Sequence, residues 1–193
     1  MHAAGHPATG VEIQQWTGRQ FSARVDDAMS IYVQAMGYPA HAGTQRAVTA
    51  RRHTRNAGFA CRAAIAPDGS LAGFGYGYTT VSGQWWHDLV RRAMTREMAG
   101  EWLANSFELS ELHVLPRCQG AGIGRSMLTD LAGSLPHRAM LLSTPDADTR
   151  AFRMYHNMGF SDLARHYLFP GDARPFAVMG VRLPLVSSDP DGP

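Results

Sequence analysis

Hydrophobic and polar positions change their period several times along the chain, and each period predicts a different element. Val11–Trp16 alternates, which predicts a strand. Arg19–Met36 spaces its large apolar side chains three and four residues apart, which predicts an amphipathic helix, and the more polar Thr44–Arg55 predicts a second helix. Phe59–Ala66 and Leu71–Thr79 are apolar runs on either side of a Pro-Asp-Gly turn, and they form the clearest predicted hairpin.

The second half of the chain alternates between helical and strand patterns after a long insertion. Val81–Leu103 is helical in character throughout. The later elements are a strand at Phe107–Leu115, a helix at Gly122–Leu135, a buried strand at Ala139–Ser143, a helix at Asp148–Met158, and strands near Phe160–Phe169 and Pro175–Leu183. We therefore expect one α/β or α+β domain over residues 11–183, with a largely antiparallel start. Residues 1–10 and 184–193, with many Gly, Pro, Asp and Ser residues, are predicted to be flexible tails.

Composition excludes several classes of protein. The 193 residues are 45% hydrophobic, enough for the core of one domain. The chain has 18 basic residues and 16 acidic ones, and this balance of charge predicts no nucleic-acid partner. Every basic residue is arginine, so no lysine is present for a Schiff base or a Walker loop. Two cysteines, Cys61 and Cys118, predict neither a disulfide framework nor a metal site. The sequence lacks a signal-peptide pattern and any run of about 18 apolar residues, so we expect a cytoplasmic protein with no membrane partner.

The most informative segment is the glycine-rich stretch that follows the Phe107–Leu115 strand. Gly120, Gly122 and Gly124 stand where a strand gives way to an amphipathic helix. A helix start leaves backbone N–H groups without intrahelical partners, and its dipole favours negative charge. Glycines let a phosphate approach those groups with no Cβ in the way, and Arg125 would add a charged contact. This arrangement predicts a ligand with a pyrophosphate group.

Other glycine motifs do not match this loop. Arg125 stands where a dinucleotide-binding fingerprint has its third glycine, and the sequence contains no G-x-x-x-x-G-K-[ST]. By itself, the loop is equally consistent with a tight strand-to-helix turn.

A second group of residues lies on the Asp148–Met158 helix. Ala151 and Tyr155 are four residues apart and share one face, so a ligand could lie beside Ala151 with the phenol above it. Asp146 or Asp148 is predicted to cap this helix. A core tyrosine on an amphipathic helix is the competing interpretation.

Together the two groups resemble the GCN5-related N-acetyltransferases, the GNAT family. The resemblance rests on Gln119-Gly-Ala-Gly-Ile-Gly124 after a strand and on Ala151-x-x-x-Tyr155-x-x-x-Gly159-Phe160 further along the chain. It covers Phe107–Phe160 and implies a mixed central sheet of about six to seven strands, in which parallel strands four and five splay apart. About four helices would flank that sheet, with the helical insertion placed before strand four.

The resemblance also implies that the co-substrate is acetyl-CoA, bound between the two splayed strands. The backbone of His113, Val114 and Leu115 would then pair with the pantetheine amides like an added strand. Asp148, where many members have asparagine, and Ala151 would lie along the same cofactor. The pyrophosphate would bind to the loop residues Gln119, Gly120, Ala121, Gly122, Ile123, Gly124 and Arg125.

Three residues are candidates for acid and base catalysis on the same basis. Tyr155 would protonate or hydrogen-bond the departing CoA thiolate. Glu108 is the first candidate for the base that deprotonates the amine, and Glu111 the second, because alternation places the two glutamates on opposite faces and a bulge would exchange them. Ser110 and Leu112 are predicted on the face of Glu108. Both glutamates are equally consistent with solvated strand residues.

The insertion would border the acceptor, with Trp85, Trp86 and His87 as substrate-binding candidates or, for one tryptophan, as an anchor to the core. The predicted function is an N-acetyltransferase that moves acetyl from acetyl-CoA to a primary amine of a small molecule or peptide by direct attack. The alternatives are a CoA-binding sensor or scaffold without turnover, and a module for another diphosphate nucleotide. A homodimer is left open.

Overall fold

A computed structural model describes residues 10–185, and its elements follow the predicted order. The predicted tails lie outside these residues except at positions 10, 184 and 185. The strands are β1 (Glu12–Trp16), β2 (Ala60–Ile65), β3 (Leu71–Thr79), β4 (Ser106–Val114), β5 (Ala139–Pro145), β6 (Ser161–Leu168) and β7 (Pro175–Arg182). The helices are α1 (Gly18–Ala23), α2 (Val25–Met36), α3 (Ala40–His53), α4 (Trp85–Ala93), α5 (Arg96–Leu103), α6 (Ile123–Gly133) and α7 (Arg150–His156), with a 3-10 turn at Pro116–Cys118.

The strands form a mixed sheet in the order β1-β2-β3-β4-β5-β7-β6. The hairpin of β2 and β3 is antiparallel as predicted, and so are the pairs β1–β2, β5–β7 and β6–β7. The pair β4–β5 is parallel, with Ser106–Glu108 opposite Ala139–Leu141. The predicted fold class is therefore confirmed: a mixed α/β sheet with parallel strands four and five.

Two predicted long helices are wrong as single elements. Arg19–Met36 breaks at Arg24, whose φ of −118° and ψ of 20° are not helical and separate α1 from α2. Val81–Leu103 breaks at Met94 and Thr95, where the extended Thr95 caps α5 by accepting a hydrogen bond from the Met98 N–H. Apolar spacing continues across both breaks, which is why periodicity alone does not reveal them.

The chain forms two compact units, and unit 1 comprises residues 10–78 and Leu109–Leu131. Its core contains a group of aromatic rings, with the Phe21 ring 4.9 Å from that of Tyr76 and 5.9 Å from that of Phe74. The glycines on either side of Phe74 in β3 are required by the close approach of β4. A Cβ on Gly73 would lie 2.9 Å from the His113 carbonyl oxygen, and one on Gly75 would lie 2.7 Å from a Leu112 methyl carbon.

Unit 2 comprises Thr79–Glu108 and residues 132–185. Its core brings the insertion onto β5 and β7, with Trp86 and Val90 of α4 in one cluster with Leu141, Phe169 and Val178. The insertion is therefore part of the hydrophobic core of unit 2.

Strand β4 carries one residue more than the facing stretch of β3. The Leu115 N–H donates to the Ala72 carbonyl, and the Thr80 N–H donates to the Ser106 carbonyl. Between these bonds β3 advances eight residues (72 to 80) and β4 advances nine (106 to 115), which defines a β-bulge. The predicted strict alternation is therefore wrong within β4, and the predicted alternative, a bulge, is confirmed.

The bulge changes which side chains share a face in unit 1. Ser110 hydrogen-bonds the Tyr76 phenol, and its neighbour Glu111 pairs with Arg46 of α3. Leu112 packs instead in the cluster that contains Ile123 of α6. Ser110 and Leu112, predicted on one face, therefore lie on opposite faces.

Candidate active site

The glycine-rich loop before α6 leaves backbone amides open to a ligand. Gly120 and Gly122 have φ angles of +89° and +79°, which residues other than glycine rarely adopt. A Cβ on Gly122 would meet nothing within 4 Å, so the space at this point is open. The Gly122 carbonyl accepts from the Ser126 N–H, and the buried Ile123 side chain fixes the start of the helix. A diphosphate fits this geometry, because its oxygens accept from backbone amides at a helix start.

The backbone at the end of β4 limits which of the three predicted residues could pair with pantetheine. The Leu115 N–H is bonded to Ala72 of β3. Neighbouring residues of a strand direct their backbone N–H and C=O groups to opposite edges. Val114 therefore directs these groups away from β3, whereas His113, like Leu115, directs them towards β3. The Val114 carbonyl accepts from Gln119 Nε2 at 3.0 Å, which joins two predicted site residues. Of the three, Val114 is therefore the residue whose backbone groups point away from β3, and its carbonyl already has Gln119 as a partner.

A buried charged cluster lies beside β4 in unit 1. The Glu111 side chain is 5% exposed, forms an ion pair with Arg46, and accepts a hydrogen bond from His113 Nε2 at 2.6 Å. Burial would raise the pKa of Glu111, but the charge of Arg46 and the contact with His113 lower this pKa to about 2. Glu111 is thus held as a carboxylate of low basicity. Arg46 was not a predicted site residue, because no local signal in the polar helix α3 distinguishes it from the other arginines.

The other predicted catalytic residues, Glu108 and Tyr155, belong to unit 2. Glu108 is buried and lies opposite Leu141 in the parallel ladder. Tyr155 is buried on α7, with its ring 5.4 Å from that of Phe160. Ala151, one turn earlier, is exposed. The parallel ladder and the short helix α7 thus carry the candidate base and acid.

The predicted cap of α7 is wrong. Thr149 caps this helix, because its side chain accepts from the Phe152 N–H at 3.1 Å. Asp148 instead lies 2.6 Å from Arg153 Nη1. Asp146 has a buried side chain that accepts from Arg165 Nε at 2.8 Å and from the His166 N–H at 2.6 Å. These hydrogen bonds link the end of β5 to β6, and the spacing of residues in the sequence does not predict them.

The substrate candidates of the insertion have different environments. Trp86 is buried and donates from Nε1 to the Ser143 hydroxyl of β5 at 3.1 Å, so it anchors α4. Trp85 is 61% exposed, with its ring 5.9 Å from that of Phe169. His87 is buried and its Nδ1 lies 2.9 Å from Asp88 Oδ1. Trp85 thus keeps a surface that an acceptor could contact, whereas His87 is buried beside Asp88.

Sequence comparison identifies relatives of this chain. The sequence model of the Acetyltransferase (GNAT) family matches residues 12–160. A GCN5-like protein acetyltransferase of Mycobacterium tuberculosis is 35% identical, over 84% of this chain and 93% of that protein.

Solved structures of acetyltransferases have a fold similar to that of this chain. The GNAT phosphinothricin acetyltransferase of Sinorhizobium meliloti, solved with acetyl-CoA, gives a TM-score of 0.61 at 17% identity, over 90% of this chain and 89% of that one. The ribosomal-protein-S18-alanine N-acetyltransferase of Escherichia coli gives a TM-score of 0.61 at 15% identity, over 93% and 97%. Within residues 10–185 no helix is long and apolar enough to cross a bilayer.

Proposed function

We propose that this chain, which belongs to the acetyltransferase (GNAT) family, transfers the acetyl group of acetyl-CoA to a primary amine of a protein. Acetyl transfer from acetyl-CoA is the general reaction of that family. The observation that carries the proposal is the open loop at Gly122, whose geometry fits the diphosphate of CoA. A protein acceptor is supported by the relative at 35% identity, which is named a protein acetyltransferase.

Bound acetyl-CoA supplies a thioester whose carbonyl carbon is the electrophile. Glu108 accepts a proton from the acceptor ammonium, because only a neutral amine can attack. The amine nitrogen then forms the C–N bond as the C–S bond breaks. The Tyr155 phenol gives its proton to the leaving sulfur, and the resulting phenolate takes up the proton that the acylated nitrogen loses. Glu111 is less suited to be the base, because Arg46 and His113 hold its pKa at about 2.

The melting temperature of the full chain with and without acetyl-CoA tests the first half of the proposal. At about 100 times its Kd, a ligand of the folded state stabilises that state by roughly 2.7 kcal/mol. We expect a clear upward shift with acetyl-CoA and a much smaller one with ADP, which lacks pantetheine. No shift at millimolar acetyl-CoA would contradict the assignment of the glycine loop to this cofactor.

Acetylation of a lysine-bearing peptide tests the second half. The chain contains no lysine, so any acetyl-lysine detected by mass spectrometry or antibody comes from the acceptor. We expect release of one CoA thiol per acetylated amine. Hydrolysis of acetyl-CoA without acetylated peptide or protein would contradict an amine acceptor.

A further inference from the structure

A groove between α4 and α5 carries positive charge that acetyl transfer itself does not need. Its volume is about 750 Å³. Arg91 of α4 and Arg96 of α5 belong to its lining, and Met94, Ala99 and Leu103 add apolar surface. The groove therefore offers two guanidinium groups beside a hydrophobic strip.

The two arginines are available for a ligand. Both are exposed, and neither forms an ion pair or a hydrogen bond with any residue in the described part of the chain. Asp88 is the acidic side chain whose charge interacts with Arg91, but its Oδ1 is already held by His87 at 2.9 Å and by the Gly83 N–H at 3.1 Å. Asp88 therefore leaves both guanidinium groups without an ion-pair partner in the described part of the chain.

The shape of the groove favours a peptide chain over a small molecule. Gly100 and Ala104, which also line it, are exposed, whereas small-molecule sites bury most of their ligand. From Arg96 to Leu103 the groove follows α5 for about 10 Å, the length of about three residues of extended chain. A Cβ on Gly100 would meet nothing within 4 Å, so a chain can approach the helix closely there.

We propose that this groove docks an acidic segment of the protein substrate, a specificity determinant that rests on the proposed acetylation of protein amines. Carboxylates of the segment pair with Arg91 and Arg96, and an apolar side chain lies against Met94 and Leu103. The docking surface is fixed to β5, because Trp86 precedes the lining residue His87 on α4 and donates its indole N–H to Ser143.

Two fluorescein-labelled peptides test this proposal. One has a single lysine flanked by glutamates and a leucine, and the other has each glutamate replaced by glutamine. Fluorescence anisotropy measures the binding of each peptide to the full chain, and CoA release measures KM and kcat. We expect the acidic peptide to bind more tightly, and its advantage to shrink with added salt.

Variants test whether the tighter binding of the acidic peptide arises at the groove. Arg91→Ala with Arg96→Ala should raise Kd and KM for the acidic peptide roughly five- to tenfold with kcat unchanged, as expected for two exposed ion pairs. Arg92→Ala, an exposed neighbour outside the lining, is the control for the loss of one nearby positive charge and should change neither constant. Gly100→Phe should fill the groove and weaken binding, whereas Gly100→Ala should retain it.

The outcomes separate the two proposals. Equal binding of the two peptides, or equal losses in the Arg92→Ala control and the double variant, would overturn the docking groove and leave acetyl transfer intact. Tight, arginine-dependent binding of the acidic peptide without acetylation would support the groove and contradict the proposed acceptor.

Discussion

Glu111 and His113 are joined by a 2.6 Å hydrogen bond between side chains two residues apart on β4. The same carboxylate pairs with Arg46, so one buried acid holds two basic groups from two elements. Because the negative charge is matched on both oxygens, the pKa of Glu111 falls to about 2 despite burial. We therefore expect removal of this carboxylate to destabilise the folded state.

Glu111→Gln should destabilise the protein by about 3 kcal/mol, because it leaves the Arg46 guanidinium without its partner charge. Urea unfolding at pH 7 measures this difference in free energy. Glu97→Gln, an exposed change on α5, serves as the control and should alter stability by less than about 0.5 kcal/mol. Equal effects of the two changes would show that the buried pair adds no stability.

The stabilisation by Glu111 should disappear in acid. The folded-state pKa of about 2 lies below the ordinary value of 4.5, so the unfolded chain takes up this proton first. The stability difference between wild type and Glu111→Gln is therefore full above about pH 5 and shrinks as the pH falls from 4.5 towards 2. Unfolding curves at pH 6, 4 and 3 measure it, and a constant difference would exclude the low pKa.

Gly122→Ala should weaken acetyl-CoA binding. A φ of +79° strains a residue with a Cβ, and the added methyl group enters the open space of the loop. Calorimetry should show a Kd raised about tenfold. Gly171→Ala places the same strain at a φ of +89°, also with open space, and should lower stability without changing that Kd. A Kd equal to that of wild type would exclude this loop as the diphosphate site.

Tyr155→Phe should lower kcat about 10²-fold or more with little change in acetyl-CoA affinity, because it removes the hydroxyl that supplies the proton and keeps the buried ring. Steady-state kinetics and calorimetry on the same preparation measure the two effects. Unchanged kcat would assign the tyrosine to packing against Phe160 alone.

Trp86→Ala should lower stability by about 3–5 kcal/mol, as expected for a buried aromatic side chain. Trp86→Phe and Ser143→Ala each remove the indole–hydroxyl bond, so in the double variant their effects should not add. An acceptor KM unaffected in Trp86→Phe would confine this residue to anchoring the insertion. A raised KM with unchanged stability would instead place Trp86 in contact with the acceptor.

Most elements could be predicted because their signals are local. The glycines before α6 and the apolar runs of the β2–β3 hairpin lie within a few residues of the structure they specify. Breaks at Arg24 and Thr95 were missed because apolar spacing is insensitive to one capping residue.

Long-range polar contacts could not be predicted from spacing. Arg46 and Glu111 are 65 residues apart, and Asp146 and Arg165 are 19 apart, so no periodicity links either pair. The bulge in β4 was foreseen only as an alternative, because it depends on register with β3.

The extra residue of β4 makes the length of this strand as important as its composition. Loss of one residue between Ser106 and Ser110 would remove the bulge and move the side chains between the deleted position and Ser110 to the opposite face. A substitution there changes one contact, whereas such a deletion would exchange the environments of several side chains at once. Deletion scanning of residues 106–110 should therefore be far more damaging than alanine scanning of the same stretch.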